Sequence, residues 1–254
     1  MIQITPIPAF RDNYIWAIHD DRHAALVDPG AAAPVEEWLQ AAGLTACAIL
    51  VTHHHDDHCG GSADLARTRG IPVYGPAEES IPGKTHPVTQ GEGVELPELG
   101  LSFAVLSTPG HTLGHVCYTG HGWAFTGDTL FANGCGRLFE GTPAQMYASL
   151  TQLAALPGDT KIYCAHEYTL ANIAFALEVE EANPDLLAWF ERARRERKAG
   201  RPTLPTTLDQ ERRTNPFLRC RLDAVKQAAE AWAGHPLANE VEVFASLRAW
   251  KNTL

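Results

Sequence analysis

The sequence predicts an α+β protein: a mixed β/α part over residues 1–168, followed by an all-α part over residues 169–254. Three observations predict it. Short β-prone runs alternate with turns and helices over the first two-thirds of the chain. Near residues 168–170 the pattern changes to that of helices alone. The basic residues also gather late: ten of the 20 Lys and Arg lie between Arg192 and Arg221, in a chain of formal net charge −10. Such asymmetry marks a second domain or a local anion site.

The elements follow in order. Ile2–Thr5, Tyr14–His19 and Ala24–Val27 are β-prone, and the third ends in the turn signal Asp28-Pro29-Gly30. Pro34–Ala42 reads as a helix with its proline near the N-terminus and Gly43 as its stop. Cys47–Thr52 is a continuous apolar run, a central strand. Ser62–Arg69 is a short helix closed by Gly70, and Val73–Tyr74 a short strand. Thr85–Gly100 reads as turns. Leu101–Leu106, His115–Tyr118 and Trp123–Thr126 form a strand meander. Pro143–Leu156 is an amphipathic helix with Thr142 as N-cap, and Lys161–Cys164 a strand. Leu170–Lys198 is helical, with Asn183-Pro184 starting a second helix rather than lying inside one. Residues 201–217 read as an irregular proline-bearing connection, and Leu222–Ala233 and Asn239–Lys251 as two further helices.

Composition removes several function classes. With 45% apolar and 20% charged residues over 254 positions, the chain is neither disordered nor fibrous. No apolar run approaches the ~18 residues of a membrane span. The start, MIQITPIPAFRD, lacks a basic segment followed by an apolar one, so a secretory signal is not expected. Six scattered cysteines without a Cys-x-x-Cys pair read as reduced, partly buried thiols of a cytoplasmic protein, not a disulfide framework. The acidic balance disfavours nucleic acid. The basic run Arg192 to Lys198 reads as a solvated helix face, with Trp189 and Phe190 packing that helix on its own domain.

The chemistry concentrates at Thr52-His53-His54-His55-Asp56-Asp57-His58, directly after the apolar run. Four imidazoles and two carboxylates within six residues are costly to bury without a partner. With a side-chain period of two, His53 and His55 point the same way, and the following turn brings Asp57 and His58 round as neighbours. That suits two metals. A solvated polar loop is the competing reading. Three further strand-end loops, however, each supply a donor: His111, Asp128 and His166. Asp128 is the natural bridge. Imidazole and carboxylate donors suit zinc, with iron and manganese also compatible. Several neighbours have blander readings. His54 and Asp56 alternate away from the first-metal face. Asp28 is either a turn aspartate or an acceptor for a ligand imidazole. His115 and Cys135 read as packed residues, and Cys59 as a poor ligand.

H-x-H-x-D-H with downstream His, Asp and His resembles the metallo-β-lactamase superfamily. More closely, the chain resembles its glyoxalase II (hydroxyacylglutathione hydrolase) family. The resemblance is carried by Thr52–His58, Thr108–His115, Gly127–Phe131, Gly134–Thr142, His166–Thr169 and Asn215–Arg219. It implies an αββα four-layer sandwich over residues 1–168 and a substrate-binding all-α domain over 169–254. His53, His55 and His111 would hold one metal, Asp57, His58 and His166 the other, and Asp128 both. Arg137, Phe139, Tyr168 and Arg219 would meet glutathione, with Arg221 or Lys226 assisting Arg219. Phe139 stands where some members have Tyr. The implied reaction is hydrolysis of an S-(2-hydroxyacyl)glutathione, S-D-lactoylglutathione first, by a metal-bridging hydroxide, with Asp128, Asp57 and His58 as catalytic residues. A monomer acting on a small glutathione thioester, without nucleic acid or membrane, is expected. The alternatives are another hydrolase of the fold, such as a lactonase, or a glutathione persulfide dioxygenase. A nuclease would call for a basic groove, and a non-catalytic metal module would not need a cationic clamp.

Overall fold

In a computed structural model, which describes all residues from Met1 to Leu254, strands β1 (Gln3–Ala9), β2 (Asn13–His19), β3 (His23–Val27), β4 (Thr45–Leu50), β5 (Val73–Pro76) and β6 (His86–Val88) form one sheet in that order. The first two pairings are antiparallel, the rest parallel. Parallel neighbours need crossovers. Helix α1 (Ala32–Ala42) supplies one, while α2 (Asp56–Cys59) and α3 (Ser62–Arg69) supply the next. Val35 and Leu39 of α1 and Leu65 of α3 are buried in one core with Leu26 and Ile49 of the sheet. Gly43 ends α1 at φ 69, a left-handed cap that costs a glycine little.

A second sheet holds β7 (Gly93–Leu96), β8 (Leu101–Ser107), β9 (Val116–Gly120), β10 (Trp123–Gly127) and the end of β13 (Lys161–Cys164). The two sheets meet through large aromatics. Tyr118 donates its hydroxyl to the Val51 carbonyl at 2.8 Å, and Trp16 donates its indole N–H to the Cys164 carbonyl at 2.9 Å. Trp16 also lies edge-on to Tyr163, with ring centroids 4.9 Å apart. Both polar tips are thus satisfied inside an apolar layer.

These sheets belong to one compact unit, Met1–Ser107, Gly114–Gly127 and Tyr163–His166. The other unit comprises Thr108–Leu113, Asp128–Ile162 and Glu167–Leu254. It contains the hairpin β11 (Leu130–Phe131) and β12 (Gly134–Cys135), then α4 (Pro143–Leu153), and β14 (Thr206–Thr207), which pairs with the first two residues of β13. Helices α5 (Thr169–Val179), α6 (Pro184–Lys198), α7 (Leu208–Thr214), α8 (Asp223–Ala233) and α9 (Glu240–Lys251) complete it, with a 3-10 turn at Pro216–Leu218. Thr142 and Gln145 form a reciprocal capping box on α4, and Asn183 and Asn239 cap α6 and α9. Phe217 is the hub: fully buried, stacked on Phe175 at 5.7 Å and edge-on to Phe244 at 5.7 Å. Truncating such a side chain to Ala costs about 3–5 kcal/mol.

Two segments differ from expectation. Residues 85–100, expected as turns, carry β6 and β7. Pro87 is accommodated because β6 is an edge strand, aligned by Tyr74 opposite His86. Residues 201–217, expected as irregular, contain β14, α7 and the 3-10 turn. There Thr207 caps α7 by accepting from the Gln210 N–H. Helix α4 also ends at Leu153 rather than 156.

A candidate metal centre and a cationic pocket

The segment after β4 leaves the sheet through Thr52 and turns at once into the short helix α2, which places His53, His55, Asp57 and His58 close together. His53 Nε2 and His55 Nδ1 are 3.0 Å apart. The buried His53 ring lies 4.0 Å from that of His58 and stacks on His115 at 4.9 Å. Gly127, at φ 46, ends β10 against this group. A Cβ there would come within 2.4 Å of Thr52 Oγ1 and 2.8 Å of His115 Nε2.

Asp57, His58 and His166 each aim a ligand atom at one point, the atoms lying within 4.8 Å of one another. The other nitrogen of each imidazole faces a carboxylate: His58 Nδ1 is 3.0 Å from Asp28 Oδ2, and His166 Nδ1 is 2.9 Å from Asp12 Oδ1. With a carboxylate at Nδ1, that nitrogen carries the proton and donates it, which leaves the Nε2 lone pair facing Asp57 Oδ2, at 3.6 Å and 3.5 Å respectively. Asn13 Nδ2 donates to Asp57 Oδ2 at 2.9 Å, fixing the third acceptor. Three lone-pair donors converging in this way fit a divalent cation of the zinc class. Asp28 is thereby an imidazole acceptor as well as a turn residue. It sits at φ 53 and also accepts from Thr52 N at 2.7 Å and Thr52 Oγ1 at 2.8 Å.

In the second unit, His111 Nε2 lies 3.3 Å from Asp128 Oδ2, and His111 Nδ1 donates to the Arg137 carbonyl at 2.8 Å. The same second-nitrogen device orients this ring. Gly136 permits the close approach: a Cβ would fall 1.9 Å from the Asp128 carbonyl oxygen. His111 and Asp128 share a cavity of about 320 Å³ with Phe131, Cys135, Arg137, Phe139, Tyr168, Asn172, Arg248 and Lys251. Its walls are aromatic: Phe139 lies edge-on to His111 at 5.2 Å, and Tyr168 edge-on to Phe131 at 5.5 Å. Its basic side chains, besides His111, are Arg137, Arg248 and Lys251, set beside the Asp128 carboxylate. Arg248 is buried and donates to the Cys135 carbonyl at 2.8 Å. Burial, with Arg248 adding to it, pushes the Lys251 amine down to about 7. A pocket of three cations with aromatic walls suits an anion that also carries apolar surface.

Arg219 lies elsewhere. Its guanidinium is held by both oxygens of Glu180, at 2.7 and 2.8 Å. Arg221 pairs with Glu240 at 3.7 Å and Lys226 with Glu230 at 3.7 Å, and none of the three lines the cavity. His54 faces Glu79 at 3.1 Å, and Asp56 is exposed. The Cys59 thiol donates to the His54 carbonyl, and burial pushes its pKa up to about 12. Burial likewise raises the Cys135 thiol, against the pull of Arg248. On α6, Arg192 lies over Trp189 at 4.2 Å and Arg194 over Phe190 at 5.4 Å, so part of the basic run packs on its own helix. Sequence reasoning missed Arg248 and Lys251, which look like ordinary cations of a helix C-terminus. The available signal was that Arg248 falls four residues after Phe244, on the apolar face of α9. Asp12 and Asn13 were also missed, since the β1–β2 turn carries no motif.

Residues 9–166 match the metallo-β-lactamase superfamily, and residues 167–254 match the hydroxyacylglutathione hydrolase C-terminus. A hydroxyacylglutathione hydrolase of Alkalilimnicola ehrlichii is 54% identical over 254 residues, and one of Nitrosomonas eutropha 51% identical over 252, each covering 99% of both chains. A crystal structure of ETHE1 from Myxococcus xanthus is 25% identical with a TM-score of 0.66, covering 100% of this chain and 99% of that one. The fold is the αββα sandwich with an all-α C-terminal tail. No helix is long and apolar enough to cross a membrane. By sequence, fold and the donors it gathers, the chain belongs to the hydroxyacylglutathione hydrolase family of the metallo-β-lactamase superfamily.

Proposed function

We propose that this protein hydrolyses S-(2-hydroxyacyl)glutathione, S-D-lactoylglutathione first, to glutathione and a 2-hydroxy acid, using two divalent metals of which zinc is the leading candidate. His53, His55 and His111 would hold one ion, and Asp57, His58 and His166 the other, with Asp128 shared. The observation that carries this reading is the cavity in which His111 and Asp128 share walls with Arg137, Arg248 and Lys251. There, a substrate anchored by its carboxylates reaches residues suited to hold metal. When bound, such a metal pair supplies Lewis acidity and lowers the pKa of water toward neutrality.

The chain's own residues do the rest. Arg137, Arg248 and Lys251 neutralise glutathione carboxylates. The Tyr168 hydroxyl would hydrogen-bond the peptide, and Phe131 and Phe139 would cover the apolar part of the ligand. Asp57, His58 and Asp128 keep their acceptor atoms fixed through the reaction. The leaving thiol has a pKa of roughly 8.5, so it departs as thiolate without a general acid. We assign catalysis to residues 1–168 and substrate binding to both parts, Arg137, Phe139 and Tyr168 from the first and Arg248 and Lys251 from residues 169–254. The six reduced thiols suit the cytoplasm.

The test is turnover by the metal-loaded protein of S-D-lactoylglutathione against a homoserine lactone and a phosphodiester. The reading predicts a kcat/KM about 100-fold or more in favour of the thioester. Faster cleavage of the lactone or the phosphodiester would contradict it.

A further inference from the structure

The hairpin β11–β12 forms one wall of the pocket, through Phe131 and Cys135, and joins Asp128 to Arg137 along the chain. Two strands of two residues each do not hold together alone in water. Its turn, Ala132-Asn133, places Asn133 at φ 57, in the left-handed region. Side chains from the helical part satisfy its backbone. Asn172 of α5 donates to the Ala132 carbonyl at 2.9 Å, and Asn215 Nδ2 reaches the carbonyls of Phe131 at 3.3 Å and Gly134 at 3.0 Å. The Thr214 hydroxyl donates to Asn133 Oδ1 at 2.6 Å.

Glu211 of α7 lies at the centre and is wholly buried. Its Oε2 accepts from the Asn133 backbone N–H at 2.7 Å and from Asn215 Nδ2 at 3.0 Å. The groups acting on it are neutral: Asn133, Asn215 and Thr206. Burial outweighs these donors and pushes the carboxyl up to about 7. A buried acid held by neutral groups is an expensive choice for the interior. What it supplies is an acceptor for a buried main-chain N–H at the tip of the pocket wall.

We propose that Glu211 is a positioning residue for the substrate pocket, fixing the β11–β12 hairpin through Asn133 and Asn215 and so setting Phe131, Cys135 and Arg137 in place. The proposal rests on the glutathione-thioester reading for its functional consequence.

The experiment compares the metal-loaded full chain with Glu211→Gln, and with Asn215→Ala in case the first variant fails to fold. It measures free-glutathione binding and steady-state kinetics on S-D-lactoylglutathione and on the lactoyl thioester of N-acetylcysteamine. The expected result is a glutathione Kd and a KM raised about 10-fold, kcat within about twofold, and the small thioester hardly affected. Wild-type Kd in a folded variant, or equal losses on both thioesters, overturns the proposal. Hydrogen exchange at residues 130–135 is read in parallel. If the wild type neither binds glutathione nor cleaves its thioester, the thioesterase reading fails by itself, and faster exchange in Glu211→Gln still supports the positioning role. Unchanged exchange overturns it.

Discussion

Asp28 Oδ2 lies 3.0 Å from His58 Nδ1, inside the protein and away from solvent. The carboxylate fixes which nitrogen of His58 carries the proton and so presents Nε2 to the metal position. Asp28→Asn keeps the shape and tolerates φ 53. It should lower metal affinity about 10–100-fold with the fold intact. Competition with a chromophoric chelator measures this, and wild-type affinity would refute the role.

Lys251 should make substrate binding pH-dependent. Its amine, pushed down to about 7 by burial, is charged below that pH and neutral above it. A bound carboxylate moves the midpoint upward. Glutathione affinity should therefore fall about 10-fold as pH rises past that midpoint, the worth of one charge-assisted contact. Lys251→Met should bind weakly and flatten the profile. A KM profile unaltered by that substitution would count against Lys251 as a substrate contact.

Arg219 should act on stability instead of substrate. Its two hydrogen bonds to Glu180 are mostly buried. Arg219→Ala leaves that carboxylate uncompensated, at a cost of about 3 kcal/mol, the lower end for a broken buried pair. Thermal unfolding should show the loss while KM for the glutathione thioester stays within about twofold. A large rise in KM at unchanged Tm would return Arg219 to the substrate site.

Asp128 should be indispensable. It follows β10 directly, and Gly136 leaves room for its backbone. Asp128→Ala should reduce metal to one ion or fewer per chain and abolish turnover. Elemental analysis of the purified variant decides, and two tightly held ions would remove Asp128 as the bridge.

The candidate ligands were legible in the sequence because their chemistry is local. Four imidazoles and two carboxylates directly after an apolar run are too costly to bury unless a cation compensates them. Helix ends were legible for the same reason, as at Gly43, Thr142 and Pro184. What was not legible depends on tertiary pairing. β6 exists because Tyr74 lies opposite His86, although Pro87 argues against a strand. Asp12 reaches His166 across 154 positions, and Glu211 reaches Asn133 across 78. Such partners are fixed by the fold, and a single sequence carries no local trace of them. The cationic clamp was expected at Arg137 and Arg219; Arg137 lines the pocket, but its other cations are Arg248 and Lys251 at a helix end.

The most direct test of the central claim is metal reconstitution of the metal-stripped protein, followed by turnover of S-D-lactoylglutathione. The account predicts that thioester hydrolysis rises with added zinc and levels off at two equivalents per chain. A plateau at one equivalent, or a fully loaded protein that leaves the thioester intact, would contradict it.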